Sequence, residues 1–170
     1  MPRDVVLERT QFLPRPPAEV FAFFAEARNL EEITPTWLHF RIVDAPDRLE
    51  RGSILRYRLR LFGVPLHWQT EIVAWREPRT FTDLQLSGPY SLWIHTHRFT
   101  PVAGGTEVFD VVRYRVPGGP LAGLVGRVVA RWLDGIFDYR RARLAELLAW
   151  AAGRARRRGG ASDSKLASGA

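Results

Sequence analysis

From residue 121 to residue 150 the large apolar side chains fall at Leu121, Leu124, Val125, Val128, Val129, Trp132, Leu133, Ile136, Phe137, Leu144, Leu147 and Leu148. This is the i, i+3, i+4, i+7 recurrence of one helical face. Gly119 and Pro120 precede it, and Pro120 suits a first helical position, where its missing N–H costs nothing. At about 1.5 Å per residue the helix would run roughly 45 Å, so its stripe needs a wide partner surface. The preceding chain supplies one by alternating instead. In Ser53–Phe62, Leu55, Tyr57, Leu59 and Leu61 share one face and Arg56, Arg58 and Arg60 the other, apolar in and charged out. Strand patterns follow at Leu66–Trp75, Thr80–Leu86, Ser91–Thr100 and Thr106–Val116. They are punctuated by turn signals at Gly63–Pro65, Glu77–Pro78, Gly88–Pro89 and Gly104–Gly105.

The N-terminal part is more broken. Asp4–Phe12 alternates as a first strand, with Val6 and Phe12 on one face, and Pro14–Pro17 ends it. Pro17 can open a short helix whose buried side is Val20, Phe21, Phe24 and Ala25. Asn29 as N-cap and Glu32 three residues on predict a one-turn helix, closed by Thr34–Pro35. Trp37, Phe40 and Ile42 then begin an extended segment. The order is strand, two short helices, about six strands and one long helix. It predicts an α+β protein of the helix-grip type: a curved antiparallel sheet of about seven strands wrapped around a long C-terminal helix.

The residues also carry a resemblance. The stretch PPAEVFAFFAEARNLEEITPTWLHFRI is similar to the opening of bacterial ligand-binding SRPBCC proteins. GPYSLWIHTHRF, GGTEVFDVVRYRVP and IFDYRRARLAELL resemble later blocks of the same group. That superfamily includes START lipid-transfer domains, polyketide cyclases and birch-pollen-allergen-like proteins, and the resemblance spans roughly residues 3–150. It implies the helix-grip fold and a ligand cavity between sheet and helix. It implies no catalytic motif, because members include carriers, cyclases, hydrolases and regulators.

Composition narrows the classes. A chain of 170 residues with 46% hydrophobic and 12% aromatic residues reads as one globular domain, expected over 1–152. The absence of Cys excludes disulfides, thiolate chemistry and Cys-ligated zinc. The charged N-terminus does not read as a signal peptide, and Arg127, Arg131 and Asp134 interrupt the best membrane-length stretch, so a cytoplasmic location is expected. Of the formal +7, the last twenty residues carry +4, from Arg154, Arg156, Arg157, Arg158 and Lys165 against Asp163. Residues 153–170 therefore read as a disordered basic tail, with at most transient contact to an anionic membrane through Arg154–Arg158 and no specific nucleic acid partner. The state expected is a monomer or homodimer.

Strand parity places the candidate chemistry. If Val108, Val112, Tyr114 and Val116 face inward, Asp110 does too; likewise Trp93, His95, His97 and Phe99 share a face. Neighbouring strands add Tyr57, Trp68, Thr70, Asp83 and Gln85, and the helix adds Val129, Trp132 and Leu133. Gly123, Gly126, Ala130 and Gly135 either thin the helix wall to leave space or let helix and sheet approach closely. His39 and His67 fall at rim or surface positions, and Trp37, Trp68, Trp75 and Trp132 at core or cavity wall.

The group His95, His97 and Asp110 has three readings. It is a satisfied buried network, or it orients the polar end of an apolar ligand, or it serves metal or acid–base chemistry, for which nothing fixes a third ligand. No cofactor and no metal are expected. There is no G-x-G-x-x-G, Walker A or G-x-S-x-G segment. The leading expectation is a protein binding a hydrophobic or aromatic small molecule of lipid, polyketide or isoprenoid type. The alternative is a cyclase, dehydratase or hydrolase using His95, His97 and Asp110 as acid–base residues.

Overall fold

The computed structural model describes residues 4–61, 63–117 and 122–159. Its elements run β1 (Val5–Leu13), α1 (Pro17–Ala25), α2 (Asn29–Glu32), β2 (Arg41–Asp44), β3 (Ile54–Leu61), β4 (Val64–Arg76), β5 (Thr80–Ser87), β6 (Leu92–Val102), β7 (Gly105–Arg115) and α3 (Ala122–Gly159). The seven strands form one antiparallel sheet in the order β1-β7-β6-β5-β4-β3-β2. β2 to β7 are thus a meander, and β1 closes onto its last strand. The helices cover one face. This is the α+β helix-grip architecture that the alternating strands and the final stripe predict.

Two apolar clusters fill the space between the layers. One gathers Val20, Phe21 and Phe24 of α1 with Ile72, Phe81, Phe99 and Val108 of the sheet and Leu144 and Leu148 of α3. The other joins Leu38, Phe40, Leu59, Trp68, Tyr90, Val112 and Tyr114 to Val129, Leu133 and Phe137. Edge-on aromatic pairs set the first cluster, with Phe21 4.8 Å from Trp75 and 5.2 Å from Phe99. Pro17 opens α1 as expected. Gly105 is required where β7 meets β1, because a Cβ there would lie 2.2 Å from the Leu13 carbonyl oxygen.

Several local expectations are corrected. Asn29 is the first residue of α2 and not its cap; its amide donates back to the Phe23 carbonyl at 2.8 Å, tying α2 to α1. Thr36–Leu38 coil into a single 3-10 turn, with His39 left-handed at φ 45°, before the chain extends. That turn throws Trp37 outward, 52% exposed, against Tyr139. In β1 the apolar residues Val6 and Phe12 face solvent, while Leu7, Arg9, Gln11 and Leu13 face inward. The inner polar pair is used on α3: Arg9 bridges to Asp134, and Gln11 donates to the Arg141 carbonyl at 2.8 Å.

The α3 backbone continues through residues 153–159, where a disordered tail is expected from composition, while 160–170 lie outside the described residues, as do Pro120 and Leu121. The stripe of α3 is not buried throughout either. Leu124, Val125 and Val128 are exposed, and burial begins at Val129. Gly123 and Gly135 lie on the exposed side, and a Cβ at Gly123, Gly126 or Gly135 would meet nothing within 4 Å. These glycines do not thin a cavity wall. No helix among the described residues is long and apolar enough to cross a membrane.

Candidate functional site

Between the two clusters the layers stand apart. They enclose a cavity of about 170 Å³ walled by α1, α2, the inner face of β3–β6 and the middle of α3. Its lining is mostly apolar, including Phe24, Leu30, Phe40, Trp68, Leu133 and Phe137. Its polar members are Glu26, Asn29 and Thr34 from the α1–α2 segment, Tyr57, Thr70, Asp83, His95 and His97 from the sheet, and Arg140 from α3.

Strand register assembles the polar group. Asp83 on β5 stands directly opposite His95 on β6, and His97, two residues on, stands opposite Asp110 on β7. Directly paired residues share a face, as do i and i+2, so all four side chains converge on the concave side. The two imidazoles lie 3.8 Å apart between the two carboxylates. On one flank, Asp83 Oδ2 is 3.6 Å from His95 Nδ1 and 3.5 Å from His97 Nε2. On the other, Asp110 Oδ1 is 3.4 Å from His95 Nε2 and 2.6 Å from His97 Nδ1. These last contacts are ion-pair approaches without hydrogen-bond alignment: His95 Nε2, His97 Nδ1 and Asp110 Oδ1 are buried and unbonded.

Electrostatics separate the two histidines. Burial and the adjacent His97 hold the His95 imidazole below its ordinary pKa. Burial acts on His97 in the same sense, but Asp110 and then Asp83 outweigh it and raise the His97 pKa. Burial works against the charge on Asp110, yet His97 and His95 hold that carboxyl well below the usual carboxylate range. The two imidazoles therefore differ in proton affinity, His97 holding its proton more tightly than His95. Burial also raises the Tyr57 phenol, which shares a 3.1 Å hydrogen bond with Thr70 Oγ1.

Of the residues expected in the site, Tyr57, Trp68, Thr70, Asp83, Trp93, His95, His97, Trp132 and Leu133 line the cavity. Gln85, Asp110, Tyr114 and Val129 do not. Gln85 braces the turn before β6, its amide donating to the Tyr90 carbonyl at 2.7 Å. Asp110 lies behind the imidazoles. Tyr114 is packed under Tyr90 and Trp93, and Val129 belongs to the packed cluster beyond the cavity. His39 and His67 are exposed, along a separate groove by β2–β4.

The residue that pattern reading passes over is Arg140. It sits over the Phe24 ring at 5.4 Å and the Phe137 ring at 6.0 Å, and its Nε is buried without a hydrogen-bond partner. Burial lowers its pKa, while Asp110 and Asp83 pull it back up. The signal for it is helical phase. Arg140 is seven residues past Leu133 and four before Leu144, on the buried stripe, where its charge disguises its position.

The profile of the family described as polyketide cyclase / dehydrase and lipid transport matches residues 4–149. No curated protein matches the chain in sequence. Among solved structures, protein Ms6760 from Mycobacterium smegmatis is 20% identical with a TM-score of 0.65, the match covering 86% of this chain and 92% of that one. TTHA0849 from Thermus thermophilus is 21% identical with a TM-score of 0.64, covering 88% and 99% respectively. Ara h 8.0201 is 18% identical with a TM-score of 0.57, covering 84% and 98%. At these identities the likeness is one of fold.

Proposed function

The chain belongs to the polyketide cyclase / dehydrase and lipid transport family, and from that premise we propose that it binds a hydrophobic or aromatic small molecule between sheet and α3. The observation that carries this reading is the cavity itself: a mostly apolar lining with a few polar side chains set into it, Asp83, His95, His97 and Arg140 among them, the general form of a small-molecule site. Its free volume of about 170 Å³ is close to that of a dry cavity that accepts benzene. The space favours a compact one- or two-ring molecule of polyketide or aromatic type over a long acyl chain. Apolar burial supplies affinity at about 25 cal/mol per Å², and Tyr57, Thr70, Asp83, the histidines and Arg140 select orientation.

The test is native mass spectrometry of the full chain together with titration by the two-ring fluorescent probe 2-naphthol. One saturable site per chain, displaced by one- and two-ring aromatics, is expected. A ligand-free protein with no saturable probe binding overturns the reading.

One observation favours a second reading, catalysis on such a molecule. The two adjacent imidazoles have opposite shifts in proton affinity and both reach the cavity, as an acid–base pair requires. Asp110, lying behind them, would then position the imidazoles and not touch substrate. Replacing His95 with Gln should abolish turnover of a bound polyketide-like substrate while preserving its affinity. Unchanged turnover ends this reading and leaves the first intact.

A further inference from the structure

We propose that Asp83, His95 and His97 form a divalent transition-metal site open to the cavity, with Asp110 as the outer carboxylate that orients both imidazoles. One ligand atom from each of the three residues lies within 4.8 Å of the others. The Asp83 oxygen is 3.6 Å and 3.5 Å from the two imidazole nitrogens facing it. Donors sharing one tetrahedral ion at bonds of about 2.0–2.1 Å stand about 3.4 Å apart. Small rotations of the side chains bring the three onto a common centre.

The second observation lies on the opposite flank. His95 Nε2, His97 Nδ1 and Asp110 Oδ1 are buried atoms without a hydrogen bond, although Asp110 is within 3.4 Å of the first and 2.6 Å of the second. A metal-bound imidazole is neutral and donates its far N–H to an outer carboxylate or carbonyl. Coordination through His95 Nδ1 and His97 Nε2 fixes the tautomers that carry an N–H on each far nitrogen, and the same small rotations turn those N–H groups toward Asp110. Three orphaned atoms then become a supporting shell. A divalent ion also offsets the negative charge of Asp83 and Asp110, which flank the buried imidazoles on opposite sides.

Two imidazoles and one carboxylate suit Zn²⁺, Fe²⁺ or Mn²⁺ better than the all-oxygen preference of Mg²⁺ or Ca²⁺. Asp83, His95 and His97 line the cavity and Asp110 does not. The remaining coordination positions therefore face the space where a small molecule sits, and a water or a ligand oxygen completes the shell. Metal binding needs no organic ligand, so it is testable apart from the function proposed above.

The experiment titrates the chelator-treated full chain with Zn²⁺ by calorimetry and with Co²⁺ by visible absorption. One ion per chain is expected, with Co²⁺ d–d bands of a four- or five-coordinate site. Asp83→Asn and His95→Gln should each weaken binding at least tenfold. Asp110→Asn should weaken it about 10–100-fold with the stoichiometry kept, as for an outer carboxylate. The double variant His39→Ala and His67→Ala, which removes the exposed imidazoles, should bind as wild type does. Should a cluster variant fail to fold, ¹⁵N shifts of the His95 and His97 rings in the wild-type protein decide: both move on adding one equivalent of Zn²⁺. Absence of stoichiometric binding, or binding lost only in the His39/His67 variant, overturns the proposal.

Discussion

Single residues in this protein act through what they face, and His97 with Asp110 makes the point. In the metal-free protein His97 has a raised folded pKa, so its stabilising contribution is complete below its unfolded value of 6.5 and is lost as pH climbs through the folded value. Asp110 is depressed, so its contribution is complete above 3.8 and is lost as pH falls through the folded value. His95 is lowered, so acidification below 6.5 favours the unfolded chain at that residue. Urea unfolding of chelator-treated protein should therefore show maximal stability near pH 6.5. In Asp110→Asn the alkaline decline should flatten and stability should fall by about 3–5 kcal/mol, the cost of stranding one partner of a buried pair. An unchanged pH profile would show that the two do not pair. Arg140 gives a second prediction. It carries a charge against two aromatic rings with no ion pair among the described residues, so it can receive an acidic group of the ligand. Arg140→Met should leave stability near wild type, since an apolar chain replaces a buried charge. It should weaken binding of an aromatic carboxylate at least tenfold relative to its neutral analogue. Equal losses for both probes would assign Arg140 to packing alone.

Elements show where pattern reading works and where it stops. The strands are legible because period-two alternation with punctual turns has few other realisations, and β3 follows it residue by residue. Register then brings Asp83, His95, His97 and Asp110 together, and parity alone anticipates that three of them share a face. Burial within α3 is not legible. A stripe of apolar residues states which side of a helix turns inward but not where the sheet beneath it ends, so Leu124, Val125 and Val128 fall on the stripe yet remain exposed. Arg140 fails the apolar test while occupying an inward phase, and β1 inverts the usual code by turning Arg9 and Gln11 toward α3. The glycines of α3 invite a cavity-shaping role, yet a Cβ at Gly135 meets only open space. Helix propensity then decides the outcome. Gly135→Ala should stabilise the protein by about 0.5–1 kcal/mol in chemical denaturation and leave probe affinity unchanged. A loss of affinity would return the glycine to the cavity wall.

At the scale of the whole molecule, α3 is held unevenly. Its polar ties run to Arg9 through Asp134, to Gln11 through the Arg141 carbonyl, to Glu32 through Arg143, and to Arg15 through the Leu148 carbonyl at 3.0 Å. These four ties lie at residue 134 and beyond, while the first turns present exposed Leu124 and Val125. The first third of α3, up to residue 133, ends on the first cavity-facing residues, Trp132 and Leu133. A molecule entering the cavity beside Trp132 and Leu133 therefore meets α3 where its preceding turns are exposed, and once bound adds apolar contacts next to them. Amide exchange followed by mass spectrometry should show residues 123–131 exchanging faster than 134–148 in the free protein, because local opening follows contact density. Saturation with a displacing aromatic should slow exchange in 123–131 most. The same ligand at about a hundred times its Kd should add about 2.7 kcal/mol, raising Tm by roughly 5–10 °C for a chain of this size. Protection confined to β2 and the Thr36–Leu38 turn would instead place the moving part at the sheet edge, and α3 would be a fixed roof.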